Sequence, residues 1–211
     1  TEHLKSIRVW EALLEDMPIE AMTRNLATMT RNGVLVAMSD LTRSVADRLR
    51  NQDAIRKARL HPIKLLSALM TYQSGKSVRG SSTWTPLREI VDALNDAFYL
   101  AFGNVQPSGK RIILGLDISG SMGCGEIANI PGMTPRVGSA AMALVTAATE
   151  HQYTIMGFSH QFTPLNISPK QRLDDVVRNI GNLPFGSTDC ALPMVWAMEH
   201  NVQADAFVIL T

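Results

Sequence analysis

The stretch IILGLDISGS, residues 112–121, joins a short apolar run to a loop of oxygen-bearing side chains. The run at 112–116 is typical of a parallel strand that is buried on both faces. Asp117, Ser119 and Ser121 follow at its carboxyl end, where open α/β sheets form their ligand crevices. A carboxylate and two hydroxyls are hard oxygen donors, which suit Mg²⁺ best and also Mn²⁺ or Ca²⁺. The stretch therefore predicts a divalent-metal site at the edge of an α/β sheet.

The residues after this loop alternate between predicted helices and predicted strands. Apolar strands are predicted at 153–158 and 206–210. Helices are predicted at 138–151, 170–180 and 192–199. Strands that alternate with helices indicate a doubly wound parallel sheet.

A second loop, PFGSTD at residues 184–189, supplies a fourth candidate metal ligand, the Thr188 hydroxyl. One carboxylate and several neutral hydroxyls would leave the ion short of ligands and able to bind an acidic group from a partner. Two enzymatic alternatives are weaker. Neither Ser119 nor Ser121 lies in a GxSxG elbow or has a recognisable histidine base. A nuclease with two metals needs several converging carboxylates, whereas only Asp117 is a certain one.

The first half of the chain is predicted to form short amphipathic helices separated by turn signals. Pro18 divides the first two, and His61-Pro62 forces another boundary because the residue before proline avoids the helical region. A polar, Arg-rich helix is predicted at 41–60. Thr85-Pro86 is predicted to cap an amphipathic helix at 87–98. Successive helices of this kind resemble an α-solenoid.

Charge divides the chain in the same way as the helix and strand pattern. Residues 1–111 hold 16 Lys+Arg and 11 Asp+Glu, a net +5, whereas residues 112–211 hold 4 and 8, a net −4. We therefore expect a helical domain at 1–103, a linker at 104–110 and a sheet domain at 111–211. The basic half suits a polyanion, and the acidic half suits cations or basic surfaces.

Composition is that of an ordinary globular protein, with 45% hydrophobic and 18% charged residues. No stretch reaches the ~18 apolar residues that a membrane span needs, so we expect no membrane association. Cys124 and Cys190 fit neither a disulfide framework nor a CxxC motif, which favours the cytoplasm. Cys190 is expected to be a small buried residue, and His160 a surface histidine at the edge of the sheet that carries the metal site.

The proposed ligands Asp117, Ser119, Ser121 and Thr188 resemble the metal-ion-dependent adhesion site of von Willebrand factor A domains. In that family the last donor is an Asp that follows a hydrophobic strand ending in Thr. Residues 206–211 match that strand. The resemblance therefore implies that an Asp comes next and that the A domain is truncated here.

Longer segments resemble the Ro autoantigen family, in which a helical TROVE module precedes an A domain. The matching segments are VWEALLEDMP (9–18), RNL (24–26), KARLHP (57–62), ALMTYQSG (68–75), AFY (97–99), PSGKR (107–111) and TDCALPMVWA (188–197). The resemblance implies a ring of HEAT-like α-helical repeats bridged by the A domain. Such rings bind small non-coding Y RNA on their outer surface and the single-stranded ends of misfolded RNA in their central hole. They act in RNA quality control as non-enzymatic scaffolds, and bacterial relatives work with exoribonucleases.

Basic residues of the helical half are the predicted RNA contacts. Arg56, Lys57 and Arg59 precede the break at His61-Pro62, from which they would project toward phosphates, with His61 stacking on a base and Lys64 close by. An ordinary solvated surface remains the alternative for these residues. For the protein as a whole, the rival hypothesis is an A-domain adaptor that binds other proteins and has no RNA function.

Overall fold

A computed structural model describes residues 6–184 and 186–211. The chain divides into two compact units. One runs through Asn104 and includes Ile130–Gly132, and the other comprises Val105–Asn129 and Met133–Thr211. The part of the chain that the structure describes has no helix long and apolar enough to cross a membrane.

The first unit is helical, as predicted. Its helices are α1 (Ile7–Asp16), α2 (Ile19–Arg31), α3 (Asp40–Leu49), α4 (Gln52–Lys57), α5 (Pro62–Ser74) and α6 (Arg88–Leu100), followed by a 3₁₀ turn at Ala101–Asn104. Helix α6 packs on α3, α4 and α5. Its apolar face is fully buried at Ile90, Leu94 and Phe98, so α6 provides the centre of the core.

Two helix boundaries in this unit differ from the prediction. The single helix at 41–60 is wrong, because α3 ends at Leu49 and a separate α4 begins after Asn51. The Asn51 side chain accepts the Ala54 N–H at 2.8 Å and caps α4, a role that asparagine fills well. Thr85-Pro86 does not cap α6, which begins at Arg88. The preceding Leu87 donates its N–H to the Tyr72 hydroxyl at 3.2 Å, so a tertiary contact sets this start.

The second unit is built on a four-stranded sheet in the order β3-β2-β1-β4. Its strands are β1 (Ile112–Asp117), β2 (Tyr153–Phe158), β3 (Phe162–Pro164) and β4 (Ala206–Leu210). Strand β1 lies parallel to both β2 and β4, as the sequence predicts. The short edge strand β3 was not predicted and pairs antiparallel with β2, so the sheet is mixed.

Helices cover both faces of this sheet, which confirms the doubly wound architecture. They are α7 (Pro135–Thr149), α8 (Leu173–Gly181) and α9 (Leu192–Glu199), and α7 packs on α8 and on β1. Gly115 in the middle of β1 faces α9, because a Cβ built there would lie 2.9 Å from Cγ of Pro193. Its neighbours Leu114 and Leu116 alternate to the opposite face and are buried too.

A charged pair ties the beginnings of β1 and β4 together. Asp205 accepts the Arg111 backbone N–H at 2.8 Å and lies 2.7 Å from the Arg111 guanidinium. The hydrogen bonds from Arg111 hold the pKa of Asp205 well below its usual range. These contacts fix the register that carries the far ends of both strands to the candidate metal loop.

Candidate functional site

The predicted metal loop begins where β1 ends, and its donors converge. Asp117 and Ser119 are almost fully buried, at 4% and 6% exposure, whereas Ser121 is exposed. The Ser119 N–H donates to Oδ1 of Asp117 at 2.7 Å. A 3₁₀ turn at Gly120–Gly123 then curls the chain, so that the Ser119 and Ser121 hydroxyl oxygens lie 2.9 Å apart. The loop therefore presents a carboxylate and two hydroxyls in one place.

The end of β4 contributes a hydroxyl to the same site. Leu210 pairs with Leu116, which places Thr211 beside Asp117. The Thr211 hydroxyl donates to Oδ2 of Asp117 at 2.9 Å. Each carboxylate oxygen thus accepts one hydrogen bond and keeps a second lone pair that is suited to a cation.

The loop that carries Thr188 is attached to the end of the neighbouring strand β2. The Asp189 N–H donates to the carbonyl of Ser159, the buried residue after β2, at 3.1 Å. Gly186 lies against the His160 ring, since a Cβ at this glycine would lie 2.6 Å from Nδ1. Thr188 has an exposed side chain in this loop. Because β2 pairs with β1 up to Asp117, this hydrogen bond holds the loop at the end of the strand next to the one that carries the metal loop.

This donor set fits a hard cation. The candidate ligands supply oxygen atoms alone, which favours Mg²⁺ over softer metals. The described residues contain no group of three or more His, Cys, Asp or Glu side chains that would hold a metal. A metal at this loop would therefore rest on Asp117 and hydroxyls, with coordination positions left for water or for a partner's carboxylate.

Some residues around the loop differ from expectation or escaped prediction. Cys190 is exposed rather than buried, and Cys124 is exposed as well; both are free thiols. Arg136 donates to the Ser119 carbonyl at 3.1 Å, and no sequence motif marks it. Ser159 carries a sequence signal of its own, because it is a hydroxyl residue placed directly after the apolar strand β2.

The predicted RNA contacts are all exposed, but they do not form one uniform set. Arg56 and Lys57 end α4, and Arg59 follows with a positive φ of 50°. None of these three side chains forms an ion pair within the described part of the chain. Nδ1 of His61 accepts the Ile63 N–H at 3.2 Å and caps α5.

Lys64 differs from the other basic residues because it is already paired. Its Nζ lies 3.1 Å from Oε1 of Glu20 on α2, and Arg24 lies 3.2 Å from the same oxygen. The two cations lower the pKa of Glu20, mainly through the Lys64 hydrogen bond. The three unpaired residues before His61 are therefore the better candidates for phosphate contacts.

Comparison with known proteins gives consistent results along the chain. The family model for the Ro60 vWA domain matches residues 111–211, and that for the TROVE domain matches residues 1–71. A Deinococcus radiodurans protein named RNA-binding protein RO60 is 41% identical over 99% of this chain and 40% of its own length. A Caenorhabditis elegans protein of the same name is 40% identical over 100% of the chain and 32% of its own length.

A solved structure agrees with the sequence comparisons. The crystal structure of the Deinococcus radiodurans RO (RSR) protein matches 96% of this chain with a TM-score of 0.90 and 41% identity. This chain covers 41% of that structure and less than half of either curated relative. A single solved protein thus matches the residues of both the helical unit and the sheet unit, in the same order. The chain therefore carries TROVE-domain sequence at residues 1–71 and a Ro60-type von Willebrand factor A domain at residues 111–211, the two domains on which its similarity to the Ro family rests.

Proposed function

We propose that this chain is part of the RNA-binding scaffold of a Ro-like ribonucleoprotein. The observation that carries the proposal is the 41% identity, over nearly the whole chain, to a protein named RNA-binding protein RO60. The net charge of +5 in residues 1–111 and the unpaired Arg56, Lys57 and Arg59 support binding of a polyanion. The proposed ligands are Y RNA-like small RNA and single-stranded ends of misfolded RNA. The protein would act without catalysis in cytoplasmic RNA quality control, together with exoribonucleases.

For the A domain we propose a divalent-metal adhesion site. Asp117, Ser119, Ser121 and Thr188 would hold Mg²⁺, with Mn²⁺ or Ca²⁺ as alternatives. When bound, the ion would supply an electrophilic centre for an acidic group of a protein partner. The residues of this chain would bind and orient the ion through the short contacts among Asp117, Ser119 and Ser121.

The second candidate function is an A-domain adaptor without RNA binding. It is favoured by the converging donors of the metal loop, which need no RNA to capture an acidic protein. The two functions differ in their response to salt. RNA binding through phosphate contacts weakens steeply as salt rises, because counterions are released from the RNA.

The test is a filter-binding series with unrelated single-stranded RNAs and the full-length protein at increasing salt. The double variant Lys57→Ala/Arg59→Ala should weaken binding to every sequence and flatten the salt slope by roughly 0.7 per lost phosphate contact. Lys170→Ala/Arg172→Ala is a matched control, because it removes two exposed basic residues from the sheet unit. If the two double variants have the same RNA affinity and the same salt slope as each other, residues 56–59 are ordinary surface. Absence of RNA binding by the wild type would favour the adaptor.

A further inference from the structure

Arg136 extends from the first turn of α7 to the loop that carries the proposed metal ligands. Its Nη2 donates to the Ser119 carbonyl at 3.1 Å. A Cβ built on Gly123 would lie 3.1 Å from Nη1, and one built on Gly181 would lie 3.2 Å from the same atom. The guanidinium is therefore packed between the end of the metal loop and the last residue of α8, where two glycines leave room for it.

The surroundings of the guanidinium favour a cation on two sides but leave one of its donors unsatisfied within the described part of the chain. The first turn of α7 is itself unfavourable for positive charge, because a helix N-terminus carries a partial positive charge. The head group instead lies at the C-terminal end of α8, which carries a partial negative charge, and against the Ser119 carbonyl. Its Nε is buried and has no hydrogen-bond partner among the residues that the structure describes. The guanidinium is therefore held by its contacts with Ser119 and with the end of α8, and not by the electrostatics of the first turn of α7.

We propose that Arg136 is a positioning residue that fixes the Ser119–Gly123 turn in its metal-binding conformation. This inference rests on the metal site proposed above. Ser119 carries both the carbonyl that Arg136 holds and the hydroxyl that lies 2.9 Å from that of Ser121. A planar guanidinium donates in several directions and fills the space between two glycines, whereas a lysine ammonium is a compact point charge. Fixing this peptide therefore fixes the distance between two proposed ligands.

Positioning and simple electrostatics predict opposite results when Arg136 is removed. If the charge alone mattered, loss of a cation near the site would raise its affinity for a divalent ion. If Arg136 holds the loop, its loss lowers the affinity, because binding must then order a looser turn. Residues that orient metal ligands in this way typically contribute about 10–100-fold in metal affinity. The sign of the change is therefore diagnostic.

The experiment measures Mn²⁺ and Mg²⁺ binding to the full-length protein by calorimetry. We expect Arg136→Met to weaken Mn²⁺ binding by about tenfold or more, and Arg136→Lys to be intermediate. Gly181→Ala keeps the charge and shifts the guanidinium by a few tenths of an ångström, because its Cβ would lie 3.2 Å from Nη1, so it should weaken binding less than Arg136→Met does. Arg178→Met is the matched control on α8, where the Arg178 side chain is 67% exposed, and it should bind metal as the wild type does.

Hydrogen exchange of residues 118–124 without metal provides a second readout. It should be faster in the Arg136 variants and unchanged in the control, while thermal melting shows that each variant is folded. If Arg136→Met does not fold, Arg136→Lys and Gly181→Ala carry the test. The positioning role would be overturned if the Arg136 variants bound Mn²⁺ as tightly as the wild type or more tightly, and if hydrogen exchange of residues 118–124 were unchanged. A wild type that binds neither metal would overturn the proposed metal site instead, and loop exchange would then decide the role of Arg136.

Discussion

Replacing Asp117 with asparagine should weaken divalent-metal binding on the order of 100-fold or more and leave the fold intact. Asp117 is the one carboxylate among the four proposed ligands, and it is 4% exposed. Asparagine has nearly the same size and keeps an acceptor oxygen for the Ser119 N–H, while its amide can bond the Thr211 hydroxyl. The substitution therefore removes a negative charge and little else.

The size of the effect follows from the charge that is removed. Two opposite unit charges 4 Å apart attract by about 4 kcal/mol at an effective dielectric constant of about 20, and a divalent ion roughly doubles this attraction. Dehydration of the ion and of the carboxylate offsets part of it. We expect a net loss of about 3 kcal/mol or more, which is on the order of 100-fold in affinity. Ser119→Ala removes a neutral donor and should weaken binding less.

The assay is the melting temperature of the full-length protein as Mg²⁺ or Mn²⁺ is added. An ion at 100 times its Kd stabilises the folded state by about 2.7 kcal/mol, which gives a measurable shift. At that ion concentration Asp117→Asn should keep at most a small fraction of this shift. In chelator it should melt at or above the wild type because a buried charge is gone. Asp189→Asn is the matched control, since this carboxylate accepts the Ala191 N–H, and it should keep the shift. A shift of wild-type size in Asp117→Asn would refute the assigned site.

Two further predictions concern the stability of the sheet unit. Gly115→Ala should lower the free energy of unfolding by about 1–3 kcal/mol in urea titration, because its Cβ would lie 2.9 Å from Pro193; an unchanged midpoint would contradict this packing of α9 on β1. The lowered pKa of Asp205 means that its pair with Arg111 stabilises the fold above about pH 4 and that this contribution is lost as the pH falls further. Asp205→Asn should therefore be less stable than the wild type at neutral pH, with a smaller further loss on acidification, and parallel acid-unfolding curves would argue against the pair.

Local patterns predicted the features that depend on neighbouring residues in the chain. Apolar strands followed by polar loops identified β1, β2 and β4, because a strand buried on both faces leaves a continuous apolar run. The sequence DISGS predicted that the side-chain oxygens of this loop converge, and the 2.9 Å distance between the Ser119 and Ser121 hydroxyls confirms this. The helical half was predicted as a class, although not at every boundary.

Sequence alone determined the two kinds of fold and the chemistry of the donor loop, since both depend on residue type and spacing. Tertiary structure decided what spacing cannot encode: the antiparallel pairing of β3, the start of α6 at a Tyr72 contact, and the pairing of Lys64 with Glu20. It also placed Arg136 against Ser119 across 17 positions of the chain. Each of these contacts joins segments whose side chains meet only after the chain has folded, so no local pattern carries their signal.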